Sequence, residues 1–171
     1  MNGKRKSQHT RQVRREDWRD KYRKTPKGLV ICPRCRNVLF KKAWHHPQGQ
    51  KVLKKEFAGK DVHFLMCPAC TMTTQHMYEG EIRLHDVPAR HEAELMHLIA
   101  GYGARAERQD SQHRVIGIEK QKGGYSVTTT EDQLAVRLAK KIKDVFKKTE
   151  LAISYSKEPF KVSRMEMYFH D

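Results

Sequence analysis

The sequence predicts an α+β protein in which a cysteine-rich ribbon is followed by a helix and then by a ββαββ antiparallel sheet unit. All four cysteines lie in two Cys-Pro-x-Cys motifs in the first half of the chain. In its last third, an amphipathic helix pattern lies between two pairs of alternating strand patterns. The first residues are rich in Lys and Arg, so a basic, disordered N-terminal arm is expected before the ribbon. The predicted segments are the arm (1–27), the ribbon (28–85), a connecting helix (86–112) and the α+β unit (113–171).

The four cysteines, Cys32, Cys35, Cys67 and Cys70, predict a structural zinc site and therefore a zinc ribbon. Two thiolates separated by two residues bind one tetrahedral ion from a tight turn, and two such turns complete a four-sulfur shell. A closed shell leaves no position for substrate or activated water, so the ion is expected to build structure. The segment 36–66 between the motifs exceeds the usual separation of about 15–20 residues, which indicates an insertion or longer strands.

Other uses of the cysteines stay open. The chain starts with basic residues and without an apolar signal segment, so we expect a reducing, cytoplasmic location in which two disulfides are disfavoured. An iron–sulfur cluster would use the same four ligands. A redox pair would need only one motif near a βαβ pattern. Histidines near the motifs are not needed as ligands, because four cysteines already satisfy tetrahedral zinc; they are His45, His46, His63 and His76.

The arm at 1–27 is a candidate RNA-binding segment. It has eleven Lys or Arg residues against three acidic residues and too few apolar residues to fold alone. Trp18 and Tyr22 lie at i and i+4, so a helix formed on a partner would place both rings on one side for stacking on bases. A solvated tail that only aids solubility is the alternative. The candidate contacts are Arg11, Arg14, Arg15, Trp18 and Tyr22.

The ribbon is expected to consist of short strands that flank the metal turns, at 29–31, 38–40 and 63–66, followed by an extended hairpin at 75–85. Basic residues beside the first motif and after the second strand are candidate phosphate contacts: Arg34, Arg36, Lys41 and Lys42. Trp44 lies among these lysines and histidines. It either extends the nucleic-acid surface or covers the small core of the ribbon, and the sequence favours neither.

The connecting helix is expected to begin at Asp86 as cap with Pro88 in its first turn, and Gly101 and Gly103 should weaken or end it. In the α+β unit, Thr130 and Gln133 match a capping box before a helix whose apolar stripe forms core. Its other face is basic and offers candidate phosphate contacts, although a lysine-rich helix face is often merely solvated. These candidates are Arg137, Lys140 and Lys141.

Several function classes are disfavoured by what the sequence lacks. It has no run of about 18 apolar residues, so no membrane partner is expected. It has no nucleotide-binding glycine loop and no Gly-x-Ser-x-Gly elbow, and its cysteines are assigned to a metal. We therefore expect neither an enzyme nor a small-molecule substrate. The net charge of +15 favours a polyanionic partner.

The chain resembles the Nmd-type zinc-ribbon adaptors of the large ribosomal subunit over about residues 28–156. The four cysteines match the paired Cys-x-x-Cys motifs of that family, and the stretch 129–140 looks like the opening of its downstream helix. The family has more metal-binding cysteines and further domains, so the resemblance implies only a ribosome-related or ribosomal-RNA-binding role for a small stand-alone relative.

Together, these observations predict a zinc-binding protein that docks on structured RNA, on ribosomal RNA or a ribosomal subunit. A zinc-ribbon DNA-binding transcriptional regulator is the main alternative. A protein-interaction module in which the charge is incidental is a third possibility.

Overall fold

The computed structural model describes residues 26–47, 59, 61–156 and 162–170, and within them it forms three helices and two mixed β-sheets. The α+β class and a four-cysteine cluster toward the N-terminus are therefore confirmed. The arm lies outside the described residues except for its last two positions, and so do its five candidate contacts.

The first sheet belongs to the ribbon and has the strand order β3-β2-β1-β4. Its strands are three residues long: β1 (Leu29–Ile31), β2 (Val38–Phe40), β3 (Ala43–His45) and β4 (Val62–Phe64). β1, β2 and β3 pair antiparallel, whereas β4 pairs parallel to β1. Strands β1 and β2 match the two strands predicted around the first cysteine motif, and β4 overlaps the one predicted at 63–66, whereas β3 was not predicted. Strand β4, which pairs parallel to β1, lies at the end of the long segment between the two motifs.

Helix α1 (Pro68–Thr74) begins inside the second cysteine motif. Pro68 fits its first turn because the backbone N–H groups there have no partner within the helix. Thr73 and Thr74 both donate their hydroxyl groups to carbonyl oxygens four residues earlier, at distances of 2.7 Å and 2.8 Å. This helix was not predicted. The extended hairpin expected at 75–85 is not formed either, because only residues 80–85 are a strand and they pair with strands from later in the chain.

The second sheet has five strands in the order β6-β7-β5-β9-β8. The strands are β5 (Gly80–His85), β6 (Val115–Gln121), β7 (Gly124–Thr129), β8 (Thr149–Tyr155) and β9 (Ser163–Phe169). Strand β5 lies at the centre, antiparallel to β7 and parallel to β9. The expected ββαββ antiparallel unit is thus not confirmed. Its four strands are present, but a fifth strand from upstream separates the two pairs and makes the sheet mixed.

Two helices, α2 (Ala89–Gln109) and α3 (Asp132–Val145), pack on one face of this sheet. The core joins apolar residues of the central strands to the apolar stripes of both helices, and its members include Ile82, Leu84, Leu95, Ile99, Leu138, Met165 and Met167. This burial supplies the main driving force for the fold. None of the helices in the described ranges has both the length and the apolar content needed to cross a membrane.

The helix starts differ from the expected ones. Pro88 is the N-terminal cap residue of α2 without any side-chain cap, and Asp86 lies before it with a φ of 55°. At α3 the cap is Glu131, whose Oε2 accepts a 2.7 Å hydrogen bond from the N–H of Leu134. Thr130 is unavailable as a cap because its hydroxyl group donates to the carbonyl oxygen of Gln112 and accepts from the backbone of residue 114.

Helix α2 continues through both of its glycines. A Cβ atom at Gly103 would lie only 2.8 Å from Cγ2 of Val115, so this glycine allows α2 to approach strand β6 closely. A Cβ atom at Gly101 would meet only the end of the Arg105 side chain, at 3.4 Å. The expectation that the glycines end the helix is wrong because packing against the sheet outweighs their low helix propensity.

Candidate metal centre

Four sulfur atoms converge at one point of the ribbon. The Sγ atoms of Cys32, Cys35, Cys67 and Cys70 all lie within 4.8 Å of one another. The Sγ atoms of Cys35 and Cys67 are 3.6 Å apart, and all four cysteines are free thiols. A tetrahedral ion with Zn–S bonds of about 2.3 Å holds its sulfurs about 3.8 Å apart. The donor set therefore fits a metal ion such as zinc, and nothing in the geometry requires a fifth ligand.

The first motif is held by a tight turn between β1 and β2. The N–H of Arg36 donates to the carbonyl oxygen of Cys32 at 2.9 Å, and the N–H of Cys32 donates to the carbonyl oxygen of Asn37 at 2.8 Å. Arg36 has a left-handed backbone with φ of 65°. This conformation reverses the chain immediately after Cys35, so both sulfurs are presented from the same side of the turn.

The second motif is held by the start of α1. Cys67 is the cap residue, and its sulfur accepts a hydrogen bond from the N–H of Cys70 at 3.5 Å. The N–H of Cys67 in turn donates to Sγ of Cys32 at 3.4 Å, which joins the two motifs directly. Backbone N–H groups directed at sulfur stabilise thiolates, the form that binds metal ions. The helix start thus serves as one half of the site.

The loop at 110–114, between α2 and β6, closes over the cysteine cluster. The N–H of Ala69 donates to Oε1 of Gln112 at 3.1 Å, and the hydroxyl group of Ser111 donates to the carbonyl oxygen of Trp44 at 3.0 Å. Trp44 is half-buried and packs against the cysteines. This packing favours the core interpretation of Trp44 over the nucleic-acid interpretation.

Arg114 is the residue of this loop that reaches the sulfurs. Its Nη1 donates to Sγ of Cys70 at 3.4 Å, while its Nε donates to the carbonyl oxygen of Ser111 at 3.1 Å and lies 3.3 Å from Oε1 of Glu107. Its side chain is only 14% exposed. A shell of four thiolates around a divalent cation has a net charge of −2, so a buried guanidinium group offsets half of it.

The ionisation of these groups follows from burial and contacts. Burial and the neighbouring thiols raise the pKa of Cys67, and burial also raises the pKa of Cys70. Burial opposes ionisation of Cys32 too, but hydrogen bonds from backbone N–H groups outweigh it and lower the pKa of that thiol. For Arg114, burial disfavours the charge, but the sulfurs of Cys35 and Cys70 and the carboxylate of Glu107 together raise its pKa. A bound cation would favour the thiolate form of all the ligands.

None of the histidines near the motifs joins the cluster of possible ligands among the described residues, and three of them make other contacts. A ring nitrogen of His45 lies 3.2 Å from the carbonyl oxygen of Phe40, and one of His63 lies 3.1 Å from that of Lys27. His46 contacts the carbonyl oxygen of Glu107 in α2. The contacts of His63 and His46 join parts of the chain that are 36 and 61 residues apart, whereas that of His45 is local.

The remaining predicted site residues are exposed on two elements. Arg34, Arg36, Lys41 and Lys42 lie on the ribbon, and the guanidinium group of Arg34 also donates to the hydroxyl group of Thr74. The others, Arg137, Lys140 and Lys141, lie on the outer side of α3. Sequence reasoning missed Arg114, Gln112 and Ser111 at the metal centre. No motif marks them, because only the packing of the loop brings them to the cysteines.

Two comparisons bear on the identity of the chain. No protein-family model matches it, and no curated protein sequence matches it either. The resemblance to the Nmd-type adaptors therefore stays a prediction, and the conclusion rests on the molecule itself: a four-cysteine centre that could hold a metal ion, closed by a loop from the α+β unit.

Proposed function

We propose that this protein binds zinc through its four cysteines and docks on structured RNA, with ribosomal RNA or a ribosomal subunit in the cytoplasm as its partner. The observation that carries the proposal is the net charge of +15. The arm at 1–27, with eleven Lys or Arg residues against three acidic residues, carries over half of it, and exposed basic side chains on the ribbon and along α3 add to it. The resemblance to the Nmd-type adaptors directs it to the ribosome. The role is binding, not catalysis.

The separation of the sulfurs supports zinc over an iron–sulfur cluster. One ion bonded to all four thiolates needs sulfurs about 3.8 Å apart. In an iron–sulfur cluster, several iron and sulfide atoms lie between the cysteine thiolates, so the distances between the cysteine sulfurs are longer than around a single ion. With every pair within 4.8 Å, the four Sγ atoms match the single ion. Iron-free protein that binds one equivalent of zinc and shows no visible charge-transfer absorption is the expected experimental result.

The exposed basic residues of helix α3 are a second observation in favour of the proposal. Its apolar side is buried against the sheet, whereas basic residues occupy its exposed side and the turn after it: Arg137, Lys140, Lys141, Lys143, Lys147 and Lys148. Arg137 lies 3.6 Å from Glu131 in a half-exposed ion pair. Asp144 is the acidic residue exposed on this helix. A row of solvated cations on a rigid helix positions a protein on phosphates without specifying sequence.

Binding to a folded ribosomal RNA fragment, measured at several salt concentrations, tests this surface. Neutralised phosphates release counterions, so affinity should fall steeply between about 50 and 200 mM salt. The double variant Lys140→Gln/Lys141→Gln should weaken binding and reduce the magnitude of the salt slope by about one for each lost contact. The matched control Lys120→Gln/Lys122→Gln removes equal charge from β6 and the turn after it and should bind like the parent protein.

Competition and sedimentation separate the proposal from its rivals. A preference for duplex DNA over folded RNA would favour the transcriptional regulator. Partner binding that is insensitive to salt would favour a protein-interaction module. In a lysate run on a sucrose gradient, the protein should migrate with ribosomal particles at low salt and leave them at high salt. Residence at the top of the gradient under both conditions would contradict a ribosomal partner.

A further inference from the structure

One face of the ribbon sheet exposes aromatic and apolar side chains. Pairing places Phe64 of β4 beside Ile31 of β1, and then Val38 of β2 and His45 of β3 in the same row. Phe40 and Val62 lie two residues along their strands and so share this face. Phe64 is 64% exposed and Val62 is 50% exposed, and Phe64 is the most exposed large hydrophobic residue in the described part of the chain.

We name the residues Phe40, His45, Val62 and Phe64 the aromatic face. Side chains alternate along a strand, so the opposite face carries Val30, Leu39 and Trp44. Trp44 packs against the cysteine cluster. The metal centre thus covers one side of the sheet, and the aromatic face lies on the other side. Val38, in the middle of that other side, is itself buried, so its exposed part consists of the residues around Val38, above all Phe64 and Val62.

Basic residues border the aromatic face at both ends of its strands. Lys41 and Lys42 form the turn that follows β2, and the Nζ atom of Lys41 lies 5.1 Å from the centre of the Phe40 ring. Arg36, in the metal turn between β1 and β2, lies near the other end. Within the described ribbon residues 26–47, 59 and 61–66, five Lys or Arg side chains stand against one carboxylate, that of Asp61.

We propose that the aromatic face binds unpaired RNA nucleotides, with a base stacked on Phe64 and phosphates beside the bordering cations. The proposal rests on the RNA-binding function above and specifies which part of the RNA this surface binds. Every base offers a π-face, so stacking on exposed rings flanked by cations is the common mode of single-strand binding. Four-stranded sheets with exposed aromatic side chains stack two or three unpaired bases.

The size and charge of the aromatic face favour nucleotides over a protein partner. Three residues along each strand and four strands across give an area of roughly 10 Å by 14 Å. That is far below the roughly 800 Å² that each partner buries in a standard protein interface. An acidic polymer also complements the bordering cations, whereas an apolar protein surface would have to desolvate them.

A binding experiment with two RNAs tests the proposal on the full chain. One probe is a fluorescent single-stranded RNA of about 10 nucleotides, and the other is a perfectly paired RNA hairpin with a short closed loop. The variant Phe64→Ala should lose about tenfold in affinity for the single strand and change less than about twofold for the hairpin, with the salt slope unaltered. Tyr155→Ala is the matched control, since Tyr155 is an aromatic residue 56% exposed on strand β8, and should bind both probes normally.

Two further variants distinguish stacking from general apolar contact and from misfolding. Phe64→Trp should bind the single strand at least as tightly as the parent protein, whereas Phe64→Leu should behave like Phe64→Ala. Each variant should retain one equivalent of metal. Normal single-strand affinity in Phe64→Ala would overturn the proposal, and so would an equal loss for both RNAs. If the parent protein binds neither probe at any salt concentration, the proposed RNA-binding function itself is wrong, and the proposal fails with it.

Discussion

Replacing Arg114 with glutamine should weaken metal binding without removing a ligand. The guanidinium Nη1 donates to Sγ of Cys70 at 3.4 Å, and the side chain is 14% exposed, so solvent screens the interaction little. A hydrogen bond to a charged partner contributes about 1.5–3 kcal/mol net. That corresponds to about 10- to 150-fold in affinity. Residues that contact metal ligands typically contribute 10–100-fold, so we expect a loss in that range for Arg114→Gln.

The assay is a zinc competition titration against a chromogenic chelator, repeated with Co²⁺ to follow the sulfur-to-metal charge-transfer band. Arg108→Gln is the control, because Arg108 is an exposed arginine in the last turn of α2. Arg114→Lys should lose less affinity than Arg114→Gln because it keeps the charge. Lysine lacks the planar group that contacts the sulfur of Cys70 and the carbonyl oxygen of Ser111 at the same time, so some loss is still expected. Zinc affinity of Arg114→Gln within about twofold of the parent protein would contradict a contribution of Arg114 to metal binding, because a loss of more than tenfold is expected.

Three other predictions follow from the fold. Cys67→Ser should lose the metal and unfold the ribbon, because metal-binding energy is folding energy in such modules, and an unchanged, metal-loaded protein would contradict the ligand assignment. Gly103→Ala should lower the free energy of unfolding by about 1–3 kcal/mol, because its Cβ atom would overlap with Val115. Gly101→Ala should raise the free energy of unfolding by up to about 1 kcal/mol, because alanine has the higher helix propensity. Urea denaturation of the two variants measures both changes. Deleting residues 1–24 should weaken RNA binding and flatten its salt dependence while zinc content stays constant, and unaltered affinity would reduce the arm to a solubility tail.

The cysteine cluster could be predicted because each half of it is a short sequence motif. Each motif positions its own two sulfurs locally, the first through a tight turn and the second through the start of α1, and only the meeting of the two motifs is a long-range step. Arg114 could not be predicted in the same way, since its position depends on how the loop after α2 folds back over α1. One arginine among 35 basic residues carries no sequence signal that distinguishes it.

The α+β class, the strands of the second half and helix α3 could also be predicted, because their apolar patterns are regular. The central position of β5 in the second sheet could not be predicted from the sequence. Ile82 and Leu84 alternate as in any strand, and periodicity does not say which neighbours a strand takes. The cap of α3 shows a similar limit. Thr130 and Glu131 are adjacent candidates, and contacts of Thr130 with the loop at 112–114 leave Glu131 as the cap.

The parallel pairing of β5 with β9 has a consequence for synthesis of the chain. Glu81 and Arg164, which face each other across this pair, are 83 residues apart in sequence. On a nascent chain, all four cysteines emerge before the middle strand of the second sheet, and the last partner of that strand emerges only after β6, β7, α3 and β8. The four cysteines are thus available to a metal ion before the second sheet is complete. Until β9 has been synthesised, one edge of β5 has unpaired backbone hydrogen-bonding groups. The risk of aggregation is greatest during this time.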